Sequence, residues 1–403
     1  MEEADFQSRL EEHLKSGAPI LGQDSPLREL MQNAVDAVLS GELSAHLAEQ
    51  KAAGHKNKRN GKLSKRVLSH VGELEIHTPR DRNGTFEPEL IGKRERELNS
   101  GLNEQILALY AQGNSIEDIR RLLVKMFGVN ISAGKISAIT DQVLPLIQQW
   151  RKRPLKPFYA VLYLDAIHFK VRHENEYKNR AFYTVYGIDI NGDRDILGLY
   201  LSEQEGASQW GLVLTDIQQR GVEDVVVICT DNLSGFSQAI DEVFPQAVVQ
   251  KCIVHQVRQS VRFVSDKERK MVCKGLRSVY TSISEAEAQL SLQSLYEQWP
   301  KSLHYILEDW EQKWEELMAF MHFPVQMRRM IYTTNPVEAV HRIMRKLVKS
   351  KAAWVSENAL LKQLYLSLVH NEKSWKRKAF NWNVILRELV QTYGHRVEQH
   401  LEY

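Results

Sequence analysis

Apolar positions change their spacing several times along this chain, and each change predicts a different kind of element. Leu27, Leu30, Met31, Ala34, Val35, Ala37 and Val38 recur at helical spacing, and Gly41 is placed to end that helix. Residues 67–91, VLSHVGELEIHTPRDRNGTFEPELI, alternate instead, which predicts two short strands around a turn at Arg80–Gly84. Residues 103–150 return to helical spacing in three segments: NEQILALYAQ, GNSIEDIRRLLVKMFGV and NISAGKISAITDQVLPLIQQW. Gly113 stops the first, Ser115 caps the second with Glu117 and Asp118 at its positive end, and Ser132 caps the third. Such a trio is either a helix-turn-helix DNA reader, with Lys135 and Ser137 facing base or phosphate, or a plain three-helix bundle.

After a basic linker, RKRPLKPF (151–158), strands dominate. YAVLYLD is a short apolar run that reads as a buried strand ending on Asp165. NRAFYTVYGIDI (179–190) and DILGLYLS (195–202) form a hairpin through Asn191-Gly192-Asp193. ASQWGLVLTDIQQRG (207–221) is an amphipathic helix. DVVVICTD (224–231) is a continuous apolar strand of the kind buried on both faces, and it too ends on an aspartate, Asp231. GFSQAIDEVF is a short helix and QAVVQKCIVH a further strand. From Gln256 to Met330 strand signals vanish, and a Trp-rich, mixed-charge helical insertion is expected.

The expected fold class is therefore α/β: a ribonuclease H-like core carrying an all-α insertion, preceded by a helix-turn-helix-type DNA-binding region. The expected divisions are a helical region for dimerisation or DNA binding (1–50), a basic arm with short strands (51–100) and the helix-turn-helix region (101–155). The first part of the core (156–255), the insertion (256–330) and a closing core segment with C-terminal helices (331–403) follow.

Charge changes this picture in two places. Formal net charge is only +2, but from Lys51 to Gly72 there are seven Lys or Arg and no acidic residue. That stretch is either a solvated linker or a DNA-contacting arm. In the helix after Asn335-Pro336, Arg342, Arg345 and Lys349 lie within about 40° of Glu338, opposite Val337, Val340, Met344, Leu347 and Val348. Glu338 has a cap-box explanation, yet it sits in a cationic stripe suited to phosphates. Three cysteines are too few for a disulfide framework, the acidic start lacks a signal peptide's pattern, and no run is long enough to span a membrane. A soluble, cytoplasmic protein is expected.

In a ribonuclease H-like sheet the strands bearing Asp165 and Asp231 are neighbours, so their carboxylates would repel. Divalent cations remove that cost: Mg²⁺ takes carboxylate oxygens and substrate phosphate, and two ions about 4 Å apart support phosphodiester chemistry. The spans PRDRNGTFEPELI (79–91), YLDAIHFKVR (163–172), VVVICTDNLSGFSQAI (225–240), CIVH (252–255) and TTNPVEAVHRIMRK (333–346) resemble bacterial insertion-sequence transposases of the Mutator type, with a DDE core. The chain departs from that family's pattern at His341, where an Asn is frequent.

The resemblance implies Asp165, Asp231 and Glu338 as catalytic and metal-binding residues, two Mg²⁺ or Mn²⁺ ions, and cleavage and strand transfer at terminal inverted repeats. It implies double-stranded element and target DNA as partner, association with the nucleoid when DNA-bound, and a homodimer to hold two ends. Lys170, Arg172, Arg258, Arg262, Arg342, Arg345 and Lys349 are candidate DNA contacts. Cys252 and His255 have half the ligands of a structural zinc site; His255 is instead a candidate DNA contact, and Cys252 a packing residue. His168 reads as a polar strand residue. Two alternatives remain at this point: a metal-dependent structure-selective nuclease, and a non-catalytic DNA-binding regulator derived from a transposase.

Overall fold

A computed structural model describes residues 3–18, 20–22, 24–69, 72–96, 98, 101–127, 130–174, 176–202, 206–231, 235–332 and 335–401. It divides into two compact units, Met1–Val143 and Leu144–Tyr403.

The first unit begins with α1 (Glu3–Lys15) and α2 (Pro26–Ala52), followed by an antiparallel hairpin of β1 (Arg59–Ser69) and β2 (Gly72–Asp81). Val35 and Leu39 of α2 pack on Val67, Leu74, Ile76 and Ile91, which make its small core. The basic stretch is therefore partly strand from Arg59 onward, with its outer residues exposed. The hairpin closes at Ser69 and Gly72, earlier than the turn expected at Arg80–Gly84. That later turn ends β2. The Asp81 carboxylate organises it, accepting from Asn57 Nδ2, the Thr85 N–H and hydroxyl, and the Phe86 N–H. Burial opposes its charge, but these donors hold its pKa well below the usual carboxylate range.

Three helices complete the unit: α3 (Leu102–Ala111), α4 (Ile116–Phe127) and α5 (Ala133–Asp141). Ser115 and Asp118 cap α4 reciprocally, the Asp118 N–H donating to Ser115 Oγ and the Ser115 N–H to Asp118 Oδ2. Ser132 Oγ accepts the Lys135 N–H at the start of α5. The long third helix expected from periodicity is divided, with α6 (Leu144–Lys152) beginning the second unit.

The second unit is built on a sheet of β3 (Phe158–His173), β4 (Glu176–Asp189), β5 (Arg194–Ser202), β6 (Asp224–Thr230) and β7 (Val248–Lys251). Its order is β5-β4-β3-β6-β7; the first three strands are antiparallel, and β6 and β7 run parallel to β3. One face packs on α7 (Ala207–Gln219) and α8 (Phe236–Val243), through Leu162, Leu164, Tyr183, Trp210 and Phe236. The other face, with Tyr163, Ile167, Phe169, Tyr186 and Cys229, carries the larger core.

That larger core is formed with α9 (Ile253–Ser260), α10 (Asp266–Tyr280), α11 (Glu285–Gln298), α12 (His304–Gln312), α13 (Trp314–Met318) and α14 (Val325–Ile331). The helical stretch after the fifth strand is as the vanishing strand signal indicated. α15 (Asn335–Ser350), α16 (Glu357–His370), α17 (Glu372–Trp375), α18 (Trp382–Tyr393) and α19 (His395–Glu398) follow. Trp382 lies over the β4–β5 turn, its indole N–H donating to Ile190 O. Gly192 in that turn has φ +77°, and a Cβ there would come within 2.3 Å of the Trp382 ring.

Two expectations change here. β3 does not stop at Asp165 but continues to His173, because Ile167, Phe169 and Val171 keep one face buried while alternate residues face outward. CIVH is not the end of a strand: β7 stops at Lys251, Cys252 precedes α9, and its N–H donates to Thr230 O. The apolar Ile253 and Val257 are spaced one helical turn apart, and a short apolar run does not by itself tell helix from strand.

Candidate active site

Asp165 lies midway along β3, on the face packed against α15. It is 5% exposed. Oδ1 accepts the Ala166 N–H at 2.8 Å. Oδ2 lies 3.2 Å from His341 Nδ1, and His341 Nε2 lies 3.1 Å from Thr184 Oγ1 on β4. The Nδ1 contact is close enough for an ion pair, although its angle falls outside a well-formed hydrogen bond. Burial works against ionising Asp165. His341, with His255 and the Ala166 N–H, outweighs it and holds the pKa below the ordinary value.

The last parallel rung between β3 and β6 pairs Leu164 with Thr230. Asp165 and Asp231 are the residues that follow that rung. His255 in the first turn of α9 is close enough to feel both. Its hydrogen bond with Cys252 is the largest influence, and the charges of Asp165 and Asp231 add to it against burial, so its pKa is pushed up to about 8. At neutral pH His255 therefore carries a proton, and its charge offsets the repulsion between the two aspartates.

One turn further along α9, Arg258 Nη1 donates to Glu338 Oε1 at 3.1 Å. Glu338 is in the first turn of α15, with Val337, Val340, Met344 and Leu347 buried beneath it. Val348, placed with them by periodicity, is 38% exposed. The cap expected from Asn335 involves a side chain outside the described residues. Two helices thus meet beside Asp165 and Asp231, α9 offering His255 and Arg258, and α15 offering Glu338 and His341.

The other candidates fall in different places. Lys170 and Arg172 project from the opposite face of β3 to Asp165, as alternation along a strand requires. His168 shares their face. Arg342, Arg345 and Lys349 are exposed on α15, Arg262 is exposed just beyond α9, and Lys135 is partly exposed on α5 in the first unit. Cys252 is fully buried and its partner is His255.

Sequence reasoning missed His341. The sequence marks the residue only as a departure from the family's pattern, whereas the ring is 0% exposed and touches Asp165. A signal was present: position 341 lies beside Val337, Val340 and Met344 on the apolar side of the helix, where a polar ring needs a partner.

Three carboxylates are hard oxygen donors of the kind Mg²⁺ and Mn²⁺ take. In donor type the residues fit such ions. Among the described residues no three His, Cys, Asp or Glu side chains are already gathered into one cage; Asp165 is engaged by His341 and Glu338 by Arg258.

Fold and site together define a mixed α/β protein in which Asp165 on the central strand is held by His341 and, across the neighbouring helices, Glu338 is held by Arg258. Residues 1–378 match the family described as transposase, Mutator family, and the chain belongs to that family. It is 36% identical over 380 residues to the transposase for insertion sequence element ISRM3 of Rhizobium meliloti, covering 94% of each chain. A probable transposase for an ISRM3-like element of Sinorhizobium fredii is equally similar, at 36% over 380 residues and 94% of each chain. A probable insertion-sequence transposase of Corynebacterium diphtheriae is 34% identical over 347 residues, spanning 80% of this chain and all of its own length. No helix among the described residues is long and apolar enough to cross a membrane.

Proposed function

We propose that this chain binds the terminal inverted repeats of an insertion sequence, cuts DNA at the element's ends and joins the freed ends to target DNA. The catalytic groups are Asp165, Asp231 and Glu338 in a ribonuclease H-like core. Bound Mg²⁺ or Mn²⁺, two ions held by these carboxylates, supplies activation of the attacking oxygen and stabilisation of the leaving one. The observation that carries the reading is the pairing across α9 and α15. His255 lies by Asp165 and Asp231, and Arg258 bonds Glu338, so one short helix attends all three carboxylates.

In cleavage, water attacks the end phosphate and the bond to the 3′ oxygen breaks, leaving a 3′-hydroxyl. In joining, that hydroxyl attacks a target phosphodiester and displaces one target oxygen, so no covalent link to protein is needed. Asp165 is held ionised and oriented by His341 and the Ala166 N–H. With ions bound, Glu338 would be one of the residues holding them in place of its bond to Arg258, and Arg258 would be free to take phosphate. Arg342, Arg345 and Lys349 extend that cationic edge along α15. The 101–155 helices and the basic stretch near β1 contact the repeats, and two chains hold the two ends.

The test uses double-stranded element-end DNA in Mg²⁺. Wild type cuts and joins; Asp165→Asn does neither while still binding the end. Cutting and joining by Asp165→Asn at the wild-type rate would refute the assignment, and cutting without any joining by wild type would make the chain a nuclease.

A further inference from the structure

Beside Arg258, α9, α10 and the end of α14 enclose a groove of about 360 Å³, at the small end of the range for ligand clefts. Ile253, Val254 and Val257 give it an apolar wall, Tyr280 and Tyr332 an aromatic floor, and Arg258 and Arg277 two cationic edges. The tyrosine rings are tilted and 6.1 Å apart. That spacing leaves no slot between them, so a flat ring would lie across them rather than between them. Arg258 is 60% exposed even while it holds Glu338. Arg277 is exposed, and among the described residues no carboxylate pairs with it.

This is an unusual surface for a structural role. Val254, Val257, Tyr280 and Tyr332 are only half-buried against the core, and two guanidiniums line the same groove. Base faces stack on tyrosine without regard to sequence, and guanidiniums take phosphate. We propose that this groove binds one unpaired nucleotide of the DNA strand, its base against Tyr280 and Tyr332 and its phosphates between Arg258 and Arg277. The proposal rests on the transposase reading for its DNA. It adds that the strand is unpaired next to the reacting phosphate. Arg258 links the two sites: moving to the strand's phosphate, it releases Glu338.

The test compares binding of fluorescein-labelled hexathymidylate with an abasic chain of the same length, using the full-length protein without metal. Wild type is expected to prefer the base-bearing chain by about tenfold, the range of one stacked base. Tyr280→Ala should erase that preference, Tyr280→Phe should keep it, and Arg277→Ala should weaken both ligands alike. Circular dichroism checks that Tyr280→Ala is folded; should it not be, Tyr332→Leu serves in its place. Equal affinity for the two chains, no binding of either, or a preference untouched in Tyr280→Ala overturns the proposal. Cutting of duplex element ends by wild type is scored separately. Cutting with no base preference sinks the groove alone, and base preference with no cutting sinks the transposase mechanism alone.

Discussion

Replacing His341 by Leu removes the group that keeps Asp165 charged inside the protein. The pair is buried: His341 is 0% and Asp165 5% exposed. In the variant Asp165 keeps the Ala166 N–H at 2.8 Å but loses its contact at 3.2 Å, and Thr184 loses its ring partner. A close polar contact to a buried charge contributes about 1.5–3 kcal/mol, and loss of one partner from a buried pair approaches the upper end. Leu fills the ring's space, so the cavity contribution is small, and a loss of about 2–3 kcal/mol is expected at neutral pH. All eight tryptophans lie between Trp150 and Trp382, in the second unit, so urea unfolding followed by tryptophan fluorescence reports that unit alone.

Because the folded pKa of Asp165 is depressed, its stabilising charge is complete above the unfolded value, about pH 4, and is lost as pH falls through the folded one. The gap between wild type and His341→Leu should therefore narrow in acid. His341→Asn, which keeps a donor, should lose less than half as much. A His341→Leu protein within about 0.5 kcal/mol of wild type at pH 7 would refute the view that His341 holds Asp165.

Other consequences follow from the same contacts. Arg258→Ala should bind Mn²⁺ about two- to fivefold more tightly than wild type in a titration without DNA, since an exposed ion pair contributes only about 0.2–1 kcal/mol; weaker binding would contradict the competition between Arg258 and metal for Glu338. His255 has a folded pKa of about 8, above its unfolded value, so its contribution is complete below pH about 6.5 and fades as pH rises through 8. The stability difference between wild type and His255→Asn should shrink over that interval. Asp81→Ala strips four donors of their acceptor and should speed amide exchange across β1 and β2 by at least tenfold, the equivalent of about 1.4 kcal/mol. Gly192→Ala meets Trp382 and a φ of +77°, and should cost at least about 1–3 kcal/mol in urea unfolding.

Much of the second unit was legible because its strands are long apolar runs broken by strong turn residues. The β4–β5 hairpin was announced by Asn191-Gly192, and β6 by its unbroken Val-Ile-Cys run. The ends of elements were less legible. β3 was cut short at Asp165 because charge there looked like a strand end; the buried Ile167, Phe169 and Val171 carry it on. α9 was read as strand because Cys252–His255 is a short apolar stretch whose helical partners, Arg258 and beyond, are polar. The carboxylates drew attention as acidic residues beside apolar runs. Their partners His255, Arg258 and His341 depend on which faces of α9 and α15 meet, and a residue list does not contain that. Lys170 and Arg172 alternate to the face of β3 opposite Asp165, as strand geometry requires.

In the proposed mechanism Asp165, Asp231 and Glu338 jointly bind the ions that drive strand transfer. Electron paramagnetic resonance titration counts the Mn²⁺ bound to the protein–DNA complex in wild type and in Asp165→Asn, Asp231→Asn and Glu338→Gln. Two ions per active site are expected in wild type and fewer in every variant, each still bound to DNA. Unchanged stoichiometry and affinity in all three variants would contradict it.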